Sequence, residues 1–340
     1  MGADQVVRVL QSFPEGRATT NPYLVQLDRG LREHVKVDGF SWWRALTAPY
    51  DVFHVHWPEI LLQGRTPARA LARRLLFALL LTRLRLRHTA VVRTLHNLRS
   101  HEEKSPTERR LLQAFDRQTT LWIRLNAFTP LPAGALERTI AHGDYREWHA
   151  GQTCPSTVPG RLLYFGLIRP YKGIDTLIEC FTAIADTAES SATLRIVGQP
   201  HTPELARTLG ALAAGDPRIE FSLGYASDEA LAHEIGEAEL VVLPYLEMHN
   251  SGAALLALSL GRPVLVPRNA VTEALANEVG GDWVLTYPDT LSPGDLTDAL
   301  AAARFSRHTA RPDLSARTWE TGVAGHLEAY ECAVRAVRAR

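Results

Sequence analysis

Residues 241–267, VVLPYLEMHNSGAALLALSLGRPVLVP, hold a complete folding unit in one stretch. An apolar run closed by Pro244, a polar bend, a helix-compatible run and a β-rich run from Pro263 to Pro267 predict strand, loop, helix and strand. Gly261-Arg262-Pro263 ends the helix sharply. In the bend, Asn250 or Ser251 caps the helix, and Gly252 lets a ligand approach the backbone. The unpaired N–H groups of such a helix start favour a phosphate. An ordinary capped helix is the alternative reading of this stretch.

The rest of the chain repeats the same alternation, which defines an α/β protein with mostly parallel, doubly wound sheets. The first strand spans residues 6–13 and is broken by Pro14-Glu15-Gly16, and a helix starts at Asn21-Pro22-Tyr23. Strands follow at 34–40 and 51–56, the latter running into His54-Val55-His56-Trp57-Pro58-Glu59. Glu59 therefore lies at a strand's carboxyl end, where open α/β sheets bind ligands. Residues 67–86 predict a helix begun by Pro67. The next strand, 90–95, leads into His96-Asn97-Leu98-Arg99-Ser100-His101-Glu102. Residues 107–118 predict a helix, 119–126 a strand, and 138–141 close the half before His142-Gly143-Asp144-Tyr145. His96, His101 and His142 have no compact ligand spacing, so no metal site is read from them.

Periodicity disappears from 146 to 160, which predicts a linker between domains. The second half restarts with a strand at 162–167 and a loop, Ile168-Arg169-Pro170-Tyr171-Lys172-Gly173. Arg169 and Lys172, entering a helix, make a phosphate clamp; solvated loop cations are the plainer alternative. Further strands are expected at 194–198, 219–223 and 240–244, a helix at 228–235, and a last helix at 319–338.

Composition bounds the setting. With 340 residues, 46% hydrophobic and 22% charged, the chain has material for two globular cores. Its three cysteines, Cys154, Cys180 and Cys332, are too dispersed for a disulfide framework. No signal sequence precedes the first strand, so a cytoplasmic protein is expected. The net charge of zero divides into about +8 through Asp144 and about −8 beyond it. Seven arginines between Arg65 and Arg87 flank the apolar run Leu75–Leu81. That run is too short to span a bilayer but suits a helix at an anionic membrane surface, with Leu75, Leu76, Phe77 and Leu79 inserting; a core helix with solvated arginines is the alternative.

Phe165-Gly166, Tyr171-Lys172-Gly173-Ile174-Asp175, Leu194–Gly198, Gly224 and residues 241–267 together resemble retaining nucleotide-sugar glycosyltransferases of the GT-B fold, family four. HVHWPE, TLHNL and HGDY resemble bacterial cell-surface polysaccharide transferases. The resemblance implies an acceptor-binding Rossmann-like domain at 1–145, a linker at 146–160, a nucleotide-sugar domain at 161–318 and a helix at 319–340 crossing back, with the donor cleft between the domains. It implies a UDP- or GDP-sugar donor, a glycan or lipid-linked acceptor and no catalytic metal; no nucleic acid and no cofactor are expected, and the arginine-rich helix at 67–86 adds an anionic membrane surface as a candidate partner. The donor set is Gly166, Arg169, Lys172, Gly198, Tyr225, Glu247, Asn250, Ser251, Gly252 and Ala253. The acceptor set is His56, Asn97, His101 and His142.

Lys172 matches the family's diphosphate-binding lysine, and His96 matches its cleft histidine. The family's arginine falls on Leu167, leaving Arg169 to substitute. Its two glutamates fall on Met248 and Leu256, with Glu247 adjacent. An inverting reaction would require Glu59 or Glu102 as base. Alternative functions are a transferase acting on a small natural product, a nucleotide-sugar epimerase and a catalytically silent binding protein.

Overall fold

The computed structural model describes residues 7–16, 21–96, 104–184, 191–305 and 311–339. They form two compact units, one of residues 1–143 with 317–340 and the other of residues 144–316.

The first unit contains β1 (Arg8–Gln11), α1 (Pro22–Arg32), β2 (Lys36–Asp38), α2 (Trp42–Thr47), β3 (Val52–Val55), α3 (Pro67–Leu86), β4 (Ala90–Leu95), α4 (Pro106–Gln118), β5 (Leu121–Arg124) and β6 (Glu137–Thr139). The strands make one parallel sheet in the order β2-β1-β3-β4-β5-β6. Successive side chains of a strand point to opposite faces, so Val9 and Val52 pack in one core while Leu10 and Phe53 pack in another. Helix α1 covers the first face, and α3 and α4 the second.

The second unit contains β7 (Arg161–Phe165), α5 (Ile174–Ala183), β8 (Thr193–Gly198), α6 (Pro203–Leu212), β9 (Ile219–Leu223), α7 (Asp228–Glu237), β10 (Leu240–Val242), α8 (Gly252–Ser259), β11 (Val264–Pro267), α9 (Ala270–Val279), β12 (Val284–Tyr287) and α10 (Pro293–Phe305). Its parallel sheet runs β12-β11-β10-β7-β8-β9. The final helix, α11 (Trp319–Arg338), packs in the first unit against α1, β3, β4 and β5.

Residues 146–160, expected as a linker, lie within the second unit. Their neighbours explain this: Trp148 Nε1 donates to Asp228, and Val158 N donates to the Glu237 carbonyl. Helix α3 has the bounds its pattern predicts, but its faces divide differently. Phe77 is fully buried, while Leu71, Leu75 and Leu79 are 57%, 60% and 57% exposed. Spacing of four residues stacks those three leucines on one side of the helix. Among the described residues no helix is long and apolar enough to cross a membrane.

Candidate functional site

Strand order fixes where each unit can bind a ligand. In the second sheet the order reverses beside β7, whose neighbours are β10 and β8. A crevice opens outside the carboxyl ends of strands at such a point. The turn after β7 carries Gly166, Arg169 and a short 3-10 turn, Pro170–Lys172, and Gly173 then begins α5 in a left-handed conformation (φ 65°). A Cβ at Gly173 would stand 2.1 Å from the Pro244 carbonyl oxygen, so this turn lies tightly against the segment after β10. Leu246 N donates to the Tyr171 carbonyl across the same contact. Gly198 is equally constrained, since a Cβ there would lie 1.8 Å from the Gly166 carbonyl oxygen.

Lys172 is held in this packing. Its Nζ lies 3.5 Å from the Tyr245 ring centroid and 5.9 Å from that of Tyr171. Burial, and secondarily the neighbouring Arg169, lower its pKa to about 7. A desolvated ammonium over aromatic faces is stabilised by the ring quadrupoles but has surrendered water, so an anion restores what burial removed. Arg169 Nη1 donates to His201 Nδ1 at 2.8 Å. Ser251 caps α8, accepting from Ala254 N at 3.2 Å, and its side chain acts electrostatically on the Tyr245 hydroxyl. Tyr245 thus stands between the lysine and the helix cap. Asn269 Nδ2 donates to the Met248 carbonyl at 2.9 Å and fixes the bend.

Of the expected donor residues, Gly166, Arg169, Lys172, Gly198, Asn250, Ser251, Gly252 and Ala253 lie on segments at the carboxyl end of this sheet. Tyr225, just after β9, is 76% exposed, and Glu247 is exposed as well. Met248 and Leu256, the positions aligned with glutamates, are 8% and 9% exposed. The bend therefore presents backbone amides and no carboxylate at those two positions. Tyr245 and His201 were not among the expected residues. Their signal lies in the fold, because each meets its cation only once the loops after β7, β8 and β10 converge.

The first unit has its own reversal beside β1, between β2 and β3. His54 and His56, two residues apart, share one face of the chain leaving β3. His56 Nδ1 and His96 Nε2 are 2.9 Å apart, and His96 stacks on Trp57 with ring centroids 4.2 Å apart. His54 is hydrogen-bonded through Nε2 to Thr94 Oγ1 and accepts at Nδ1 from the Tyr330 hydroxyl, both at 2.8 Å. His142 packs 4.6 Å from Tyr23, centroid to centroid. His326, from α11, donates to the Gly322 carbonyl at 2.7 Å.

All five imidazoles are buried, and desolvation is the first cause that lowers their pKa values, to about 4 for His142 and His326 and well below 6.5 for His54, His56 and His96. They are neutral donors and acceptors at neutral pH. Glu59 sits in the 3-10 turn Pro58–Leu61 beyond β3 and is half-buried. Asn97, His101 and Glu102 lie outside the described residues. His54, His326 and Tyr330 were missed from sequence; two of them come from a helix more than 260 residues downstream of their partner.

Two doubly wound parallel sheets, a buried lysine at a switch point and a capped helix start together fit a nucleotide-sugar glycosyltransferase of GT-B fold. Comparison with known proteins agrees. The sequence pattern of the family described as "Glycosyl transferases group 1" matches residues 159–303. A Xanthomonas campestris pv. campestris protein named GDP-mannose:glycolipid 4-beta-D-mannosyltransferase is 45% identical over 313 residues, covering 92% of this chain and 88% of its own length. Among solved structures, Anabaena Alr3699/HepE with UDP and glucose superposes with a TM-score of 0.62 at 15% identity, covering 98% of each chain. AviGT4, a glycosyltransferase of avilamycin A biosynthesis, has a TM-score of 0.59 at 14% identity, covering 97% of this chain and 98% of its own. The chain belongs to this glycosyltransferase family.

Proposed function

We propose that the enzyme transfers mannose from GDP-mannose to a hydroxyl of a lipid-linked glycan. The observation that carries this is the 45% identity, over nearly the whole chain, with a protein named for that reaction. The site supplies the chemistry: Lys172, Arg169 and the amides at Ser251–Ala253 stabilise the departing diphosphate as negative charge develops on it. Cations at these positions supply the charge neutralisation that a metal would otherwise give, so the proposed scheme is metal-independent. No cofactor enters the scheme.

The donor's mannose is α-linked to its phosphate, and the relative is named for a β product. The same outcome here is inversion, which is in-line attack by an acceptor hydroxyl whose proton a base removes. We assign that base to Glu59, the first carboxylate in the chain after β3, with Glu102 as the alternative. His56, His96 and His142, with Asn97 and His101, are assigned to the acceptor side, where neutral imidazoles orient sugar hydroxyls. The exposed leucines of α3, set among arginines, are assigned to an anionic membrane surface from which a lipid-linked acceptor is taken.

The test is incubation with GDP-mannose and a lipid-linked oligosaccharide, followed by NMR of the new linkage. A β-mannoside is expected, unaffected by EDTA, with Glu59→Gln lowering kcat by about 10²-fold or more. An α product removes the need for a base and overturns inversion. Free mannose or an epimerised nucleotide sugar, without acceptor product, overturns transfer itself.

A further inference from the structure

The second unit contains a cavity of about 890 Å³ on the side away from the donor residues. Its wall includes Pro159, Glu239, Pro263 and Trp283. These immediately precede or lie next to the amino ends of β7, β10, β11 and β12. The cavity thus opens at the amino edge of the sheet whose carboxyl edge carries Lys172. Three to five residues of strand separate the two edges, roughly 10–16 Å.

Four arginines line it: Arg146, Arg262, Arg304 and Arg311. Among the described lining residues the one carboxylate, Glu239, is already engaged, accepting from Gly160 N and from Arg304 Nε at 3.1 Å. Arg262 is anchored on carbonyl oxygens, those of Gly236 at 3.1 Å from Nε and Gly261 at 3.0 Å from Nη1, and burial lowers its pKa. Arg146 donates to the Pro312 carbonyl, and its buried Nε has no partner. Asp144 and Asp313 act on Arg146 electrostatically, yet among the described residues neither Arg146 nor Arg262 has a carboxylate at ion-pair distance. Holding guanidinium groups partly desolvated beside a cavity is costly unless an anion compensates them.

We propose that this cavity is a second ligand site, separate from the donor site, that binds an organic phosphate. Guanidinium forks match the oxygens of a phosphate in pairs, which favours that anion over a single carboxylate. Its volume lies in the range of about 300–1,000 Å³ typical of small-molecule sites and exceeds what inorganic phosphate alone occupies. Trp283 and the two prolines offer an apolar wall to the organic portion. Helix α8 connects the two sites: its first residues form the donor bend, while Ser259, Leu260 and Gly261 line the cavity. Ser259 Oγ also accepts from Tyr145 N at 2.9 Å, tying the helix end to the segment that carries Arg146.

Cys154 lines the cavity and is exposed, whereas Cys180 is buried. Its alkylation therefore reports occupancy of this site and not of the donor site. In full-length protein carrying Cys332→Ser, the rate of maleimide labelling is measured with glucose 6-phosphate, with inorganic pyrophosphate and with phosphatidylglycerol vesicles, each against sodium chloride of equal ionic strength. A phosphate probe is expected to slow labelling saturably. Arg311→Ala, at an exposed position, and Arg146→Gln should each raise the half-protecting concentration about tenfold or more, the loss of one charge-assisted hydrogen bond.

Protection by the soluble phosphates assigns a free metabolite as ligand, and protection by vesicles alone assigns a lipid headgroup; both support the site. Labelling that no probe slows, or protection equalled by sodium chloride, or protection unchanged in both arginine variants, overturns it. None of these outcomes depends on which nucleotide sugar the enzyme uses.

Discussion

Lys172 is poised to change its protonation on binding. Its pKa of about 7, lowered by burial and by Arg169, means that much of it is uncharged above neutrality. A diphosphate favours the charged form, so donor binding should take up a proton near pH 7. Donor KM is then lowest below pH 7 and rises by up to about tenfold for each pH unit above it. Calorimetry in buffers of different ionisation enthalpy measures the proton uptake directly. Lys172→Arg, always charged, should flatten the profile, and a wild-type KM independent of pH from 6 to 9 would remove this role. The buried histidines act in the opposite direction on stability. Their folded pKa values lie below the unfolded value near 6.5, so the unfolded chain binds more protons as pH falls. Stability from keeping them neutral is complete above about pH 6.5 and is lost as pH falls toward about 4. Thermal melts should show Tm dropping through that window, with a shallower drop for His326→Leu, whatever that change costs at neutral pH.

Among the elements, α3 shows how the same residues divide between core and surface. Phe77, Leu80, Leu81 and Leu84 fill the second face of the first sheet, while Leu71, Leu75 and Leu79 stand outward. Pairing an outward leucine stripe with arginines suits the interface of an anionic bilayer, each close arginine contributing about 1 kcal/mol and screened by salt. Leu75→Asp/Leu79→Asp leaves the core intact and should release the protein from phosphatidylglycerol vesicles at low salt. Wild-type protein staying in the supernatant with every vesicle and at every salt concentration would make the stripe an ordinary surface. Helix α3 also marks the limit of periodicity as evidence. Pro67 and the Ala-Leu-Arg content identify residues 67–86 as helix, but leucine at nearly every turn position leaves the buried face undetermined. The packing of Phe77 against Phe115 selects it, with centroids 5.8 Å apart.

Across the whole molecule, the last helix is part of the first unit's core although the second unit precedes it in the chain. Gly30 and Gly143 admit it closely: a Cβ would stand 2.5 Å from Val323 Cγ2 at the first and 2.5 Å from Trp319 Cε2 at the second. Trp319, Val323 and Tyr330 are buried, each large apolar side chain stabilising by about 1.5–3 kcal/mol. A protein ending at Ala316 should therefore lose cooperative folding of the first unit, seen as dye binding to exposed apolar surface. Full solubility with unchanged near-ultraviolet circular dichroism would show that α11 is dispensable. What the sequence determined alone is what neighbours in the chain encode: alternation of strands and helices, the bounds of α3 and α11, and a cap for α8 at Asn250 or Ser251, of which the structure selects Ser251. Lys172 was legible for the same reason, since its loop is a continuous motif. The histidine cluster, the place of residues 146–160 and the arginine-lined cavity were decided only by tertiary structure. Their members lie tens to hundreds of residues apart, and only the order of strands in each sheet brings them together, so no local propensity or spacing carries their signal.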